Sequence, residues 1–249
     1  MSKKENLAKD KSTQNMVSLV AEPQPLEIDI ERTAVIVVDM QNAFVKEGGM
    51  FHRWGMDISA NQTVIEPIQQ ISSLARAEGC KVIYIAHRYS PDLREGGNPV
   101  SVNRMRSVPI KYYREFPEMK DKTIIRDTWG AAIIDELKPL EGDILVEKPR
   151  YSAFFSTNLD LILRTYNLKY LLFTGVATNT CVEHSIRDAY NLEYLPILVS
   201  DATMNTGPPF VKEATFFNVK LNYGWLTSTE KVVDMFKSRI GFHIKGSIK

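Results

Sequence analysis

Short runs of apolar, largely β-branched residues recur along the chain with helical stretches between them. This alternation limits the fold more than any other feature of the sequence. Thr33–Val38 reads T-A-V-I-V-V, with no polar alternation, as expected of a strand covered on both faces. Val82–Ala86, Ile144–Val146, Tyr170–Thr174 and Leu195–Val199 read the same way. Between them, apolar residues return at helical spacing. Val64, Ile65, Ile68, Ile71 and Leu74 mark a helix within 58–78 that stops at Gly79, and Leu159, Leu161, Ile162 and Leu163 mark another. Val182, Ile186, Ala189 and Tyr190 mark a third, and late helices are expected over 210–222 and 231–236. The pattern predicts an α/β fold: a doubly wound, mainly parallel sheet flanked by helices on both faces. The 249 residues suffice for one such domain, expected over 25–249. The polar, Lys-rich stretch 1–24 lacks periodicity and reads as a flexible extension.

Ligands of such sheets bind outside the carboxyl ends of the strands. The loops after Val38, Ala86, Val146 and Thr174 therefore matter most. The segment 87–122, punctuated by Pro91, Gly96, Gly97, Pro99, Pro109 and Pro117, is long enough to be a lid. Composition removes several partners from consideration. A net charge of +1 argues for neither nucleic acid nor an anionic membrane, and no apolar run approaches the roughly 18 residues a membrane span requires. No signal peptide is visible, and 2 cysteines make no disulfide framework, so a reduced, cytoplasmic setting is expected.

The stretch G-V-A-T-N-T-C-V-E-H-S at 175–185 places Cys181 where a buried strand turns into a helix. A thiol there meets unpaired backbone N–H groups and the positive end of the helix dipole, both of which favour thiolate. Cys80, between Gly79 and a strand, reads instead as a small buried hydrophobe. Asp39 ends the first strand and Lys148 follows the third, so carboxylate, ammonium and thiol converge at one sheet edge. In such a set the carboxylate accepts the thiol proton and returns it to a leaving amine, and the ammonium supports both charges. Amides of the 177–181 turn, Cys181 included, are placed to hold an oxyanion.

The segments V-V-D-M-Q-N-A-F at 37–44, E-K-P-R-Y-S-A-F-F at 147–155 and G-V-A-T-N-T-C-V at 175–182 resemble those of the isochorismatase-like cysteine hydrolases, over roughly residues 25–237. The resemblance implies an Asp39–Lys148–Cys181 triad, oxyanion donors at the amides of Ala177 and Cys181, and a non-proline cis peptide at Val176–Ala177. Within that superfamily, G-G at 48–49, R-E-G-G at 94–97, K-P-R-Y-S at 148–152, F-F-S-T at 154–157 and D-A-T at 201–203 are similar to the ureidoacrylate amidohydrolases. That likeness implies substrate contacts at Asn42, Phe44, Tyr89, Glu95, Asn103 and Tyr151. The sequence departs from it at H-R-Y, 87–89, where the relatives resemble N-G-W.

The expected activity is hydrolysis of a linear C–N bond in a small ureido or amide substrate, ureidoacrylate first. An N-carbamoyl amino acid, biuret or another small amide is the alternative. No metal and no organic cofactor is expected. Of the 4 histidines, His184 lies about 300° round the helix from Cys181, and His87 lacks the companion residues of a metal site. Arg88 and Arg150 are candidates to clamp a carboxylate, and Trp129, Phe154 and Phe155 to line a pocket. Relatives assemble, so a homo-oligomer is expected. An inactive binding scaffold on the same fold is the non-enzymatic alternative.

Overall fold

The computed structural model describes residues 15–205 and 207–246, with side chains as far as residue 239. Six parallel strands form the central sheet: β3 (Thr33–Val38), β4 (Lys81–His87), β5 (Ile144–Lys148), β6 (Tyr170–Val176), β7 (Leu195–Met204) and β8 (Trp225–Thr227). Their order is β5-β4-β3-β6-β7-β8. The chain thus winds outward from β3 in one direction, then restarts beside β3 and winds in the other. The crevice at the carboxyl ends of β3 and β6 is the point where this order reverses, and there a doubly wound sheet opens a cleft.

Side-chain alternation builds two cores from one sheet. Val35, Val37, Val82, Tyr84, Leu172 and Ile197 point to one face, against α1 (Ile65–Ala77) and the C-terminal helix Thr229–Gly246. Ala34, Ile36, Val38, Ile83, Ile85 and Phe173 point to the other, against helices Leu159–Thr165 and Glu183–Asn191. Burial of β3 on both faces explains its unbroken apolar run.

Four elements differ from expectation. Residues 1–14 of the expected extension lie outside the described residues. From residue 16 the segment is regular: β1 (Met16–Leu19) pairs antiparallel with β2 (Leu26–Asp29). Leu19 and Ile28 are fully buried, and Glu22 exchanges backbone hydrogen bonds of 2.8 and 2.9 Å with Leu226. The apolar content of this short hairpin, hidden among polar neighbours, carries the fold upstream of residue 25. The segment 87–122 is not a bare loop but holds the helices Val102–Arg106 and Val108–Glu115, the second started by Pro109 in its first turn. The expected helix over 58–78 is divided into Ser59–Gln62 and α1. Expected at 210–222, the late helix is α-helical only over Pro209–Asn218 and finishes in a π-helical turn, Val219–Tyr223.

Gly175 is required where it stands. Its φ is +98°, and a Cβ there would lie 2.1 Å from the Val38 carbonyl oxygen on the neighbouring strand. That closeness lets the ends of β3 and β6, and the residues after them, meet.

Candidate active site

Four strand ends deliver four side chains to this crevice. Asp39 follows β3 in the left-handed region (φ +51°), which an aspartate tolerates better than most residues. Its N–H still donates to Ile85 on β4, 2.8 Å, so the turn away from the strand is sharp. Lys148 is the last residue of β5, and His87 the last of β4. Cys181 lies beyond β6 in a π-helical turn, Thr178–Val182, that runs into α-helix at Glu183. Such turns concentrate at functional positions because they displace one residue from the helical register.

Lys148 Nζ lies 2.9 Å from Asp39 Oδ2 and donates to Cys181 Sγ at 3.2 Å and to the Arg150 carbonyl at 2.9 Å. The ammonium thus donates two hydrogen bonds, stands in ion-pair contact with the carboxylate, and is fully buried. Donor atoms of Asp39, His87 and Cys181 lie within 4.8 Å of one another. A metal could span such a set, but the Lys148 ammonium already brings positive charge against two of its members.

The cysteine turn is braced from two sides. Thr203 Oγ1 donates to the Gly175 carbonyl (2.8 Å) and accepts from Thr178 Oγ1 (2.9 Å). Ser185 Oγ donates to the Cys181 carbonyl (2.6 Å) and accepts from the Ala153 N–H (2.9 Å), joining the turn to the segment after β5. The Val176–Ala177 peptide is cis. The N–H groups of Thr180 and Val182 both donate to the Ala177 carbonyl, whereas the Ala177 N–H has no hydrogen-bond partner among the described residues.

Burial governs the charges. It pushes the Asp39 carboxyl up, against the pull of the Lys148 ammonium. It also pushes the Cys181 thiol up, and the adjacent Asp39 carboxylate adds to that rise while Lys148 opposes it. For Lys148, burial works against the charge, but the Asp39 carboxylate and the Cys181 sulfur outweigh it and the ammonium is held above its usual range. The helix N-terminus expected to favour the thiolate is therefore opposed by burial and by the Asp39 carboxylate, both of which favour the thiol. Alkylation of Cys181 by iodoacetamide should consequently climb about tenfold per pH unit between pH 7 and 9, without levelling off. A plateau below pH 8 would show a depressed thiol instead. Cys80, pushed up to about 12 by burial, should label far more slowly.

A cavity of about 130 Å³ opens onto Cys181. Phe44, Phe51, Met56, Val108 and Pro109 form its apolar wall, and Asn179, Thr180, His87 and Tyr151 its polar groups. Of the expected substrate contacts, Phe44 and Tyr151 line it. The others do not. Asn42 donates from Nδ2 to the Trp129 carbonyl, 2.8 Å. Glu95 accepts from the Ser90 N–H and Oγ and pairs with Arg126. Tyr89 and Asn103 stand behind His87, with Asn103 Nδ2 donating to Tyr89 Oη at 3.3 Å. These polar groups serve the loop's own backbone, so they sit one layer out. Arg88 pairs with Glu147, and Arg150 donates to the carbonyls of Glu95 and Pro149, so neither faces the cavity. Trp129 and Phe155 are exposed and Phe154 stacks on Tyr194.

Two residues that matter here were not singled out from sequence. Gln41 is fully buried; its amide Nε2 donates to the carbonyls of His87 and Ala131 (both 3.0 Å) and its Oε1 accepts the His87 N–H (2.8 Å), clasping β4 to β3. Ser185 is the other, and His87, weighed above only as a metal ligand, lines the cavity. Each lies inside or beside a quoted motif, which was the available signal. His184, set aside, donates from Nδ1 to the Thr180 carbonyl at 2.8 Å and is exposed.

A doubly wound sheet with a buried sulfur, carboxylate and ammonium at its switch point is an architecture suited to hydrolysis. The isochorismatase domain model matches residues 33–231, and the chain belongs to that family. It is 44% identical over 212 residues, 85% of this chain and 86% of the relative, to the ureidoacrylate amidohydrolase RutB of Rhizobium rhizogenes. With the RutB of Stutzerimonas stutzeri it shares 41% over 225 residues, 90% of this chain and 91% of the relative. A crystal structure of a cysteine hydrolase from Pseudomonas syringae pv. phaseolicola superposes with TM-score 0.73 at 29% identity, covering 89% of this chain and 98% of that one. The protein is an amide-bond hydrolase, as its motifs predict. Among the described residues no helix is long and apolar enough to cross a membrane.

Proposed function

We propose that the enzyme cleaves the linear C–N bond of a small ureido substrate, ureidoacrylate first, through an acyl-enzyme on Cys181. The observation that carries this is the buried Lys148 ammonium, 2.9 Å from Asp39 and 3.2 Å from Cys181, behind a small cavity that those two residues line. The proton of Cys181 passes to Asp39 as the sulfur attacks the carbonyl carbon. The amides of Ala177 and Cys181 receive the oxyanion. Asp39 then returns the proton to the leaving nitrogen, so aminoacrylate departs and a carbamoyl thioester remains. Asp39 next takes a proton from water, whose oxygen attacks the thioester. Carbamate leaves, breaking down to carbon dioxide and ammonia, and the thiol recovers its proton. No step calls for a metal or an organic cofactor.

Phe44 and Tyr151 contact the substrate in this reading, while Asn42, Tyr89, Glu95 and Asn103 support the walls. The sequence likeness to the named relatives supports ureidoacrylate. One observation favours a second reading, an uncharged amide or biuret: among the described residues no arginine lines the cavity, and Lys148 is committed to Asp39 and Cys181. The enzyme works in this reading on small molecules in the cytoplasm, apart from nucleic acid and membrane. It does so as a homo-oligomer, to which the exposed Phe210, Phe217 and Leu221 are suited. Ammonia release across ureidoacrylate, N-carbamoyl amino acids, biuret and simple amides tests the assignment. Ureidoacrylate should give the highest kcat/KM; turnover of simple amides alone would overturn it.

A further inference from the structure

His87 lines the cavity, yet the proposed reaction uses no imidazole. Its surroundings specify how the ring is protonated. Tyr89 Oη donates its single proton to the Pro149 carbonyl, 2.9 Å away, so it can only accept from His87 Nε2 at 3.0 Å. Asn103 Nδ2 donates to the same phenolic oxygen. The proton of the ring is thereby held on Nε2, and Nδ1 is left with its lone pair. No hydrogen bond to Nδ1 is made among the described residues.

The ring is also held still. Gln41 binds both the N–H and the carbonyl of His87, and the ring packs between Tyr89 and Tyr151, centroids 5.0 and 6.1 Å away. The Asp39 carboxylate, the Lys148 ammonium and the Arg150 guanidinium are the charged groups about it; burial first, then the two cations, hold the imidazole well below its usual range. Such a ring is a poor base at neutral pH but a fixed acceptor, and one of its nitrogens lies within 4.8 Å of the Cys181 sulfur and of an Asp39 oxygen. Buried acceptors of this kind reject ligands that cannot donate to them.

We propose that His87 is a specificity-determining residue, whose Nδ1 accepts an N–H of the carbamoyl or ureido group as its carbonyl meets Cys181. The site then selects carbonyl compounds carrying an N–H over esters of the same shape. This rests on Cys181 being the nucleophile of the proposed reaction, but not on ureidoacrylate being the substrate.

The test is a ratio that needs no turnover. Second-order rates of Cys181 alkylation are measured with iodoacetamide, which carries carbamoyl N–H groups, and with methyl iodoacetate, which has none. Each is divided by the corresponding rate with glutathione. The wild-type ratio should favour the amide, and His87→Leu should lower it about tenfold or more, while His87→Asn, which keeps an acceptor, retains most of it. Tyr89→Phe leaves the imidazole in place but removes the acceptor that holds its proton on Nε2, and should lower the ratio without touching the cavity wall. That variant decides the matter should His87→Leu not fold. Equal ratios in the wild type and the folded variants would overturn the proposal. Failure of the wild type to hydrolyse ureidoacrylate would overturn the substrate assignment and leave the ratio test standing.

Discussion

Cys181→Ala is expected to remove hydrolysis of every ureido or amide substrate the wild type accepts, lowering kcat by at least about 10⁴-fold. The size follows from the covalent route: without sulfur there is no acyl-enzyme, and the Asp39–Lys148 pair has only an unpositioned water to activate. Replacing a small buried thiol by a methyl group should cost little stability, on the order of 1 kcal/mol. Kinetics on ureidoacrylate beside thermal melts separate the two effects. A variant that melts like the wild type and retains a few per cent of its turnover would remove Cys181 from the role of nucleophile.

Lys148→Met has the second large effect, and it falls on folding as well as on rate. The side chain is isosteric enough to fill the space, but it leaves the Asp39 carboxylate buried without its counter-ion. Breaking a buried pair in this way costs about 3–5 kcal/mol, here a melting-point drop of about 6–20 °C at pH 8. The sign of the pH dependence follows. Asp39 is already raised by burial, and Lys148 is what pulls it back. In the variant its folded-state pKa rises further above the unfolded value, so stability is gained as pH falls through that raised pKa. The melting-point deficit should therefore shrink between pH 8 and pH 5. A deficit that is constant or grows on acidification would show that Asp39 is not the group left uncompensated.

Much of the fold was legible because buried parallel strands write themselves as uninterrupted apolar runs; β3, covered on both faces, is the clearest case. What escaped was short or at an edge. The three residues of β8 and the four-residue strands β1 and β2 are too brief to establish a period, and they are stabilised by docking rather than by propensity. Asp39, Lys148 and Cys181 could be placed together because each sits at a strand's carboxyl end, and topology alone brings such ends to one crevice. Asn42, Tyr89, Glu95 and Asn103 could not be sorted in the same way. A motif locates a loop, whereas the side of the loop that faces the cavity depends on which backbone groups its polar side chains must satisfy. The opposing pull of burial on the thiol was not legible for a related reason: a helix terminus is visible in sequence, and the depth at which it is buried is not.

The reacting groups ride on the ends of sheet strands, while the apolar wall of the cavity, Phe44, Phe51, Met56, Val108 and Pro109, is lent by connecting segments after β3 and β4. Mutations in those connectors alter which molecule is admitted without disturbing the bond-breaking apparatus behind it. A lineage that inherits this architecture is thus free to acquire new nutrients as substrates by editing its loops alone.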